Sequence, residues 1–470
     1  MREFDVVIIG AGTAGLSARK QVAKKTDNYL VVDDGPLGTT CARVGCMPSK
    51  VLIQAANDYY RKHKLKQMGI LGGENLLVDT RQVMKHVRSL RDRFTRGVLG
   101  GMPSWQDKFL AKRAKFVDAN ILDLQGEKVK AKNIIIATGS RPIIPKTWLE
   151  FKDYLIDTND FFELENLPQS MAVIGMGVIG SELGQALSRL GVKVVGVTVG
   201  KAIGGLTDPD IQDYVAQKLS QEMPLHFNGA ELVGVSENGL LRIKADDKIY
   251  EVEKALVAMG RRPNVDNLGL ENLKLEMDTK GVPAINFNTL NVKGYDHIYL
   301  PGDVNADRPI LHEAADEGNI AGFNAVNEGQ CFQRRTSLGI TFMDPNIAFV
   351  GQTWAQLKEQ KIEFESGEVT FEGQGRSIVK LKEQGLLRVY ADKRTGRLLG
   401  AEMQAPDGEH LAHLLAWSIS LKLTVFEALK MPFYHPVVEE GLRTALRDLA
   451  CKVGECPAEE LLRCQDPPIR

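Results

Sequence analysis

The sequence predicts an α/β protein with two dinucleotide-binding units. Two glycine-rich turns, about 165 residues apart, each lie between an apolar run and a helical run. At 470 residues the chain is too long for one hydrophobic core and is expected to form about three domains. Lys and Arg number 59 against 60 Asp and Glu, so charge points to neither nucleic acid nor an anionic membrane as a partner.

The first unit begins with the apolar run at residues 5–9, which predicts a buried strand. The strand breaks into Gly10-x-Gly12-x-x-Gly15, a helical run follows, and a second apolar run ends at Asp33. In this order the helix N-terminus receives a pyrophosphate, and the terminal acid accepts hydrogen bonds from a ribose. This order favours a dinucleotide site over a merely tight glycine turn.

The second unit repeats the arrangement with Gly175-x-Gly177-x-x-Gly180, and its second strand ends at Thr198. Two such Rossmann-like units imply two dinucleotide sites. An acid at the end of that strand favours NAD and nearby arginines favour NADP, whereas Thr198 is neither. Lys201 could meet a 2′-phosphate, but a solvated lysine is the more common state. NAD is therefore favoured, with NADP as the alternative.

Cys41 and Cys46 follow the first glycine turn by about thirty residues. Five residues of regular helix advance about 7.5 Å, whereas a disulfide needs Cα atoms within about 7 Å of each other. If the two cysteines pair, the backbone between them cannot be regular helix, and Gly45 supplies the freedom for a break. From these residues alone, a redox-active disulfide and two unpaired buried thiols both remain open.

Further motifs lie at the ends of apolar runs. Predicted strands end at Thr138-Gly139 and at Gly260, each in a Gly/Pro turn that suits a hinge between domains. Asp303 ends another predicted strand and is a candidate site residue. An ordinary helix cap is the alternative role for this aspartate.

His435 and Glu440 lie five residues apart near the C-terminus. A histidine packed beside Pro436 is the alternative to a general base, and spacing alone favours that alternative.

Taken in order, these motifs resemble those of the flavoprotein disulfide reductases, or class I pyridine nucleotide-disulfide oxidoreductases, and most of all the dihydrolipoamide dehydrogenases. The resemblance covers about residues 1 to 450. It implies FAD in the first unit and NAD(P) in the second. It also implies that electrons move between these cofactors, a Cys41–Cys46 disulfide and a dithiol substrate such as dihydrolipoamide. Beyond the residues above, the cofactor ligands that it implies are Thr40, Lys50, Ile179 and Glu182, with Lys50 and Glu182 as an ion pair near the flavin's reactive nitrogen.

The resemblance also implies roles for the thiols and their base. Cys46 lies next to the flavin as the charge-transfer thiol, and Cys41 faces outward to exchange with substrate. His435, oriented by Glu440, reaches the disulfide of the other subunit, so that the active site exists only in a homodimer. The implied protein partner is a lipoyl domain of a 2-oxoacid dehydrogenase or glycine cleavage complex.

The domain organisation follows the same resemblance, with an α+β dimerisation domain at the C-terminal end. The expected parts are an FAD-binding domain at 1–145, an NAD(P)-binding domain at 146–264, a central domain completing the FAD site at 265–335, the dimerisation domain at 336–450 and a tail at 451–470.

Several positions depart from the family pattern and leave the substrate open. Thr39 stands where a second glycine is usual, Ala42-Arg43 replaces Leu-Asn, Phe433 replaces a histidine, and Val437 and Glu439 replace Thr and Ser. One alternative is an NAD(P)H-dependent reductase of a low-molecular-weight disulfide, mercuric ion or quinone. Another is a flavin-bearing redox sensor, which the general base argues against.

The tail repeats the five-residue cysteine spacing with Cys451 and Cys456, and Cys464 follows. A relay of electrons through these thiols and an incidental surface tail are the alternatives, of which the second is favoured. No apolar run approaches a membrane span, and the N-terminus lacks the pattern of a signal peptide, so we expect a cytoplasmic protein. The motifs suggest no metal site.

Overall fold

The computed structural model describes residues 1–454 and 456–462. In the N-terminal part the strands are β1 (Arg2–Ile9), β2 (Tyr29–Val32), β3 (Phe109–Leu110), β4 (Lys115–Phe116), β5 (Ile121–Leu124), β6 (Glu127–Ile136) and β7 (Ser140–Pro142). The helices are α1 (Thr13–Val22), α2 (Thr40–Val44), α3 (Cys46–Tyr60), α4 (Lys62–Leu65) and α5 (Thr80–Leu99).

The next part carries the second glycine turn. Its strands are β8 (Leu155–Ile156), β9 (Ser170–Ile174), β10 (Lys193–Val197), β11 (Leu225–His226), β12 (Glu231–Val235), β13 (Leu241–Ala245), β14 (Lys248–Val252), β15 (Lys254–Val257) and β16 (Arg261–Pro263). Its helices are α6 (Thr158–Phe161), α7 (Val178–Arg189) and α8 (Pro209–Leu219).

The remaining chain begins with β17 (Asn291–Val292), β18 (Tyr295–Tyr299) and helix α9 (Leu311–Asn324). The C-terminal strands are β19 (Leu338–Thr341), β20 (Asn346–Gly351), β21 (Phe364–Thr370), β22 (Leu386–Asp392) and β23 (Leu398–Ala405). The C-terminal helices are α10 (Trp354–Glu359), α11 (Gly375–Lys380), α12 (Gly408–Ser420), α13 (Val425–Leu429) and α14 (Glu439–Val453).

An eight-stranded sheet organises the first unit in the order β17-β18-β6-β1-β2-β3, with β5 paired to β6 and β4 paired to β5. Strand β1 runs parallel to both β2 and β6. Its second half is fully buried, as expected for a parallel strand covered on both faces. The segment predicted as a central domain adds β17 and β18 to this sheet and its apolar side chains to the same core.

The second unit is a five-stranded parallel sheet in the order β11-β10-β9-β15-β8. Strands β7 and β16 pair antiparallel and connect the two units. The C-terminal part is a five-stranded antiparallel sheet covered by α12 and α14, which matches the predicted α+β domain. No helix among the described residues is long and apolar enough to cross a bilayer.

Helices α1 and α9 lie beside the first sheet and pack against each other at very close range. A side chain added at Gly318 or Gly322 of α9 would overlap the backbone of Ala14 or Ala18 of α1. The contact therefore requires glycine because backbone, not a flexible side chain, occupies the space.

Gly318→Ala should destabilise the protein by about 1–3 kcal/mol, because overpacking outweighs the gain in helix propensity. Urea unfolding of the variant should show a lower midpoint. Gly329→Ala is the matched control, since no atom lies within 4 Å of the added carbon, and equal midpoints for both variants would contradict the close-packing argument.

Candidate active site

A cleft of about 1620 Å³ extends from the first glycine turn to the second. Single small-molecule sites typically occupy roughly 300–1,000 Å³, so this cleft is large enough for more than one small ligand. Most of the predicted site residues line it: Gly10, Gly12, Asp33, Thr40, Cys41, Cys46, Lys50, Thr138, Gly139, Gly175, Gly177, Ile179, Glu182, Thr198, Gly260 and Asp303.

In the first glycine turn, one glycine packs closely against backbone and another faces open space. Gly10 has φ +109°, a conformation that favours glycine. A Cβ at Gly15 would overlap the carbonyl oxygen of Gly10, whereas one at Gly12 would meet no atom within 4 Å and would project into open space. Gly12 thus leaves room for a ligand at the start of α1, and Gly15 is a packing residue that does not line the cleft.

The second turn has the same geometry. Gly175 has φ +98°, Gly177 faces open space, and Gly180 packs against the Gly175 carbonyl without lining the cleft. In each turn the middle glycine, Gly12 or Gly177, therefore leaves space that a Cβ would occupy, as dinucleotide binding requires.

The ends of the second strands differ between the units. Asp33 accepts hydrogen bonds from the amide of Ala11 at 2.6 Å and the amide of Gly35 at 2.7 Å, which orient its carboxylate at the cleft. Thr198 takes the corresponding place in the second unit. Lys201, the candidate for a 2′-phosphate, instead pairs with Asp213 at 2.6 Å.

The backbone between Cys41 and Cys46 is broken, as the sequence predicts. Helix α2 ends at Val44, Gly45 adopts φ −136° and ψ −122°, and α3 begins at Cys46. Both cysteines are free, with Cys41 half-buried and Cys46 exposed. The structure shows the pair as two thiols joined by a hydrogen bond, which is the reduced state of such a pair, and the redox-active disulfide stays a prediction.

The two thiols differ in their affinity for protons. A hydrogen bond from Cys41, aided by the charge of Lys50, lowers the pKa of Cys46 to about 7. The same hydrogen bond and burial raise the pKa of Cys41. Near neutral pH, Cys46 is therefore the thiolate of the pair and Cys41 keeps the shared proton.

Lys50 and Glu182 form the predicted ion pair, with the lysine Nζ 2.8 Å from both carboxylate oxygens. Glu182 is 4% exposed. It also accepts a hydrogen bond from the amide of Phe342 at 2.8 Å, and Lys50 lies 4.6 Å from the centre of the Phe342 ring. Sequence reasoning missed Phe342, because an amide donor has no sequence signal.

Asp303 belongs to a small polar network at the cleft. Ser140 donates to Asp303 Oδ2 at 2.8 Å, and Arg261 Nε donates to Ser140 Oγ at 2.8 Å. Thr138 and Asn264 exchange hydrogen bonds at 2.7 and 2.9 Å beside it. The sequence analysis missed Ser140 and Arg261 as site residues, although Ser140 directly follows the Thr138-Gly139 turn.

His435 and Glu440 form a pair outside the cleft. His435 Nδ1 lies 3.0 Å from Glu440 Oε1, and this hydrogen bond lowers the pKa of Glu440. The His435 side chain is 80% exposed. Neither residue lines the cleft, so a single chain does not bring the pair to Cys41 and Cys46.

The tail contains a second cysteine pair. Cys451 and Cys456 form a disulfide at the end of α14, away from the cleft lining. Glu460 then accepts hydrogen bonds from Arg443 and Arg447 of α14. Cys464 lies outside the described residues, and the electron relay stays the less favoured alternative to a surface tail.

Comparison with known proteins identifies the class. The profile of the pyridine nucleotide-disulphide oxidoreductases matches residues 4–318, and the profile of their dimerisation domain matches residues 338–446. The chain belongs to this family, whose members use FAD and NAD(P). The dimerisation domain supports a homodimer.

Among individual proteins, the chain is 29% identical to a dihydrolipoyl dehydrogenase of Bacillus subtilis, over 93% of this chain and 94% of the relative. It is 28% identical to a mercuric reductase of Lysinibacillus sphaericus, over 94% and 82% of the two chains. Two solved structures share the fold at 21% identity. They are the HOCl-induced flavoprotein disulfide reductase RclA of Escherichia coli, with a TM-score of 0.80 over 97% of this chain and 100% of that one, and LpdA of Mycobacterium tuberculosis, with 0.81 over 95% and 99%.

Cys41→Ala should raise the pKa of Cys46 from about 7 toward the ordinary cysteine value of about 8.5, because the main hydrogen bond to the thiolate is lost. The pH dependence of Cys46 alkylation, followed by mass spectrometry on the reduced protein, measures this change. Cys331→Ala removes an exposed free thiol and is the control. An unchanged midpoint in Cys41→Ala would mean that Lys50 alone stabilises the thiolate.

Proposed function

We propose that the protein is a dihydrolipoamide:NAD⁺ oxidoreductase. The observation that carries the proposal is the asymmetric dithiol of Cys41 and Cys46, in one cleft with two dinucleotide-binding turns. A small dithiol can exchange with such a pair at its half-buried member. The relatives named dihydrolipoyl dehydrogenase support this substrate, and a lipoyl domain is its natural protein-bound form.

The chemistry divides between the cofactors and the side chains. In thiol–disulfide exchange, the two thiols of the substrate become a disulfide while the Cys41–Cys46 disulfide becomes a dithiol. FAD, when bound, supplies the two-electron chemistry that connects this dithiol with the nicotinamide. Lys50 stabilises the Cys46 thiolate, and Glu182 holds Lys50 in position.

In dihydrolipoamide oxidation, a base must take the proton of the substrate thiol that attacks the Cys41–Cys46 disulfide. Cys41 receives a proton when it leaves the mixed disulfide, because its pKa is raised. We infer that His435 of the other subunit is this base and that Glu440 fixes its ring through Nδ1. The exposure of His435 supports the inference. Exposed apolar side chains in the same part of the chain, Leu414, Trp417, Leu421, Met431 and Tyr434, support a subunit interface there.

The second unit supports NAD as the nicotinamide cofactor. Lys201 is held by Asp213, and Thr198 carries no charge for a 2′-phosphate. A ribose hydroxyl needs no cation, whereas a 2′-phosphate does.

The holoenzyme should therefore oxidise dihydrolipoamide with NAD⁺ at least about tenfold more efficiently than with NADP⁺, the effect of one missing charged contact. Steady-state kcat/KM values with each cofactor test this. Lys201→Ala is the control and should leave the ratio unchanged. Parallel assays of NADH-driven reduction of glutathione disulfide and Hg²⁺ test the alternatives, and faster turnover with either acceptor would overturn the proposed substrate.

His435→Ala should leave flavin reduction by NADH intact and slow dithiol oxidation by roughly two to four orders of magnitude, the usual contribution of a general base. Mixing it with Cys41→Ser under subunit exchange should restore activity, because the heterodimer has one site with both Cys41 and His435. No recovery despite demonstrated heterodimers would place the two residues within one subunit or make His435 structural.

A further inference from the structure

The cleft contains one half-buried cation that forms no ion pair with the described residues. Four of its basic side chains are paired with carboxylates: Lys50 with Glu182, Lys112 with Glu127, Arg113 with Asp34 and Arg141 with Asp266. Arg261 donates to Ser140, and Lys280 is exposed to solvent. The remaining cation of the lining is Arg43, between the two redox cysteines.

The guanidinium of Arg43 lacks a protein acceptor. Its Nε is buried without a hydrogen-bond partner, and within residues 1–454 and 456–462 the group forms no ion pair. Glu163 and Asp33 are close enough to act on its charge. However, Glu163 accepts from Arg91 at 2.6 Å, and the Asp33 oxygens accept backbone amides.

The surroundings hold the Arg43 side chain in place. A Cβ on Gly38, which has φ +109°, would lie 3.4 Å from Arg43 Cγ and 2.5 Å from Thr95 Cγ2, so Gly38 sits between the two side chains. The Oγ1 of Thr95 is also buried without a partner. Burial and the neighbouring Arg91 charge lower the pKa of Arg43, which shows that the position disfavours an unpaired cation.

The Arg43 side chain points toward the first dinucleotide unit. Arg43 follows Thr40 by three residues on α2, so both side chains lie on one face of the helix. Helical side chains point back toward the N-terminus, which brings Arg43 toward Thr40 and Gly38. Thr40 and Asp33 both line the first unit's part of the cleft.

A half-buried guanidinium whose Nε is buried without an acceptor is costly, and a diphosphate is the acceptor that its planar fork fits best. We propose that Arg43 donates hydrogen bonds to the diphosphate of FAD, as a cofactor ligand that replaces the asparagine usual at this position. The contact supplies the positive charge that the first glycine turn, with backbone amides alone, does not provide.

The test is the equilibrium dissociation constant of FAD for the full-length protein, measured by flavin fluorescence at low and high salt. Arg43→Gln should weaken FAD binding roughly 10- to 100-fold, the range for hydrogen bonds to a charged group. Arg43→Lys should lose less, because it keeps the charge but not the fork. The loss should shrink at high salt.

The matched control is Arg96→Gln, which neutralises an exposed guanidinium on α5 next to Thr95 but outside the cleft lining. It should change FAD affinity by no more than about twofold, the scale of a screened surface charge. Competition with ADP and with adenosine gives a second readout. Arg43→Gln should lose affinity for ADP while adenosine binding is unchanged.

Equal FAD affinity of wild type and Arg43→Gln would overturn the proposal. So would a higher KM for glutathione disulfide, an anionic substrate, together with unchanged FAD affinity, because Arg43 would then serve the disulfide substrate. If Arg43→Gln does not fold by circular dichroism, Arg43→Lys and Arg43→Asn decide the question. The measurement of FAD affinity uses no dithiol substrate, so an error in the proposed substrate leaves it unaffected.

Discussion

The buried carboxylate of Glu182 is the contact on which the arrangement of the cleft depends. It lies on α7 just behind the second glycine turn and accepts hydrogen bonds from Lys50 of the first unit and from the amide of Phe342 in the C-terminal part. A buried carboxylate without such partners costs several kcal/mol. The Glu182 carboxylate therefore holds three parts of the chain together beside the redox thiols.

The other end of α7 is anchored in the same way. Arg189, also buried, donates to Glu222 at 2.8 Å, to Asn57 of α3 at 2.6 Å and to the carbonyl of Asp344 at 2.7 Å. Helix α7 is thus attached at both ends to α3 and to residues 342–344. Because Cys46 starts α3 and the second glycine turn precedes α7, these contacts set the separation between the thiols and that turn.

Some charged side chains of the site are paired within the protein, and others are left for a ligand. Lys50 serves both Glu182 and the Cys46 thiolate, so the protein satisfies this cation by itself. Arg43, seven residues earlier on α2, has no such acceptor among the described residues and is suited to an anionic ligand. His435 is paired with Glu440 but 80% exposed, and neither residue lines the cleft.

Local patterns in the sequence determined the parts whose physics is local. The two βαβ units depend on residues within about thirty positions of one another, so spacing and glycine content were sufficient to predict them, and Gly45 marked where a helix between paired cysteines would break. The His435–Glu440 pair was predicted only by the family resemblance. The family resemblance added the Lys50–Glu182 pair. Tertiary structure decided the rest: the amide of Phe342, the Arg261–Ser140–Asp303 network and the unpartnered state of Arg43. Each of these depends on which distant groups burial brings into hydrogen-bond range, and residue order does not encode that distance.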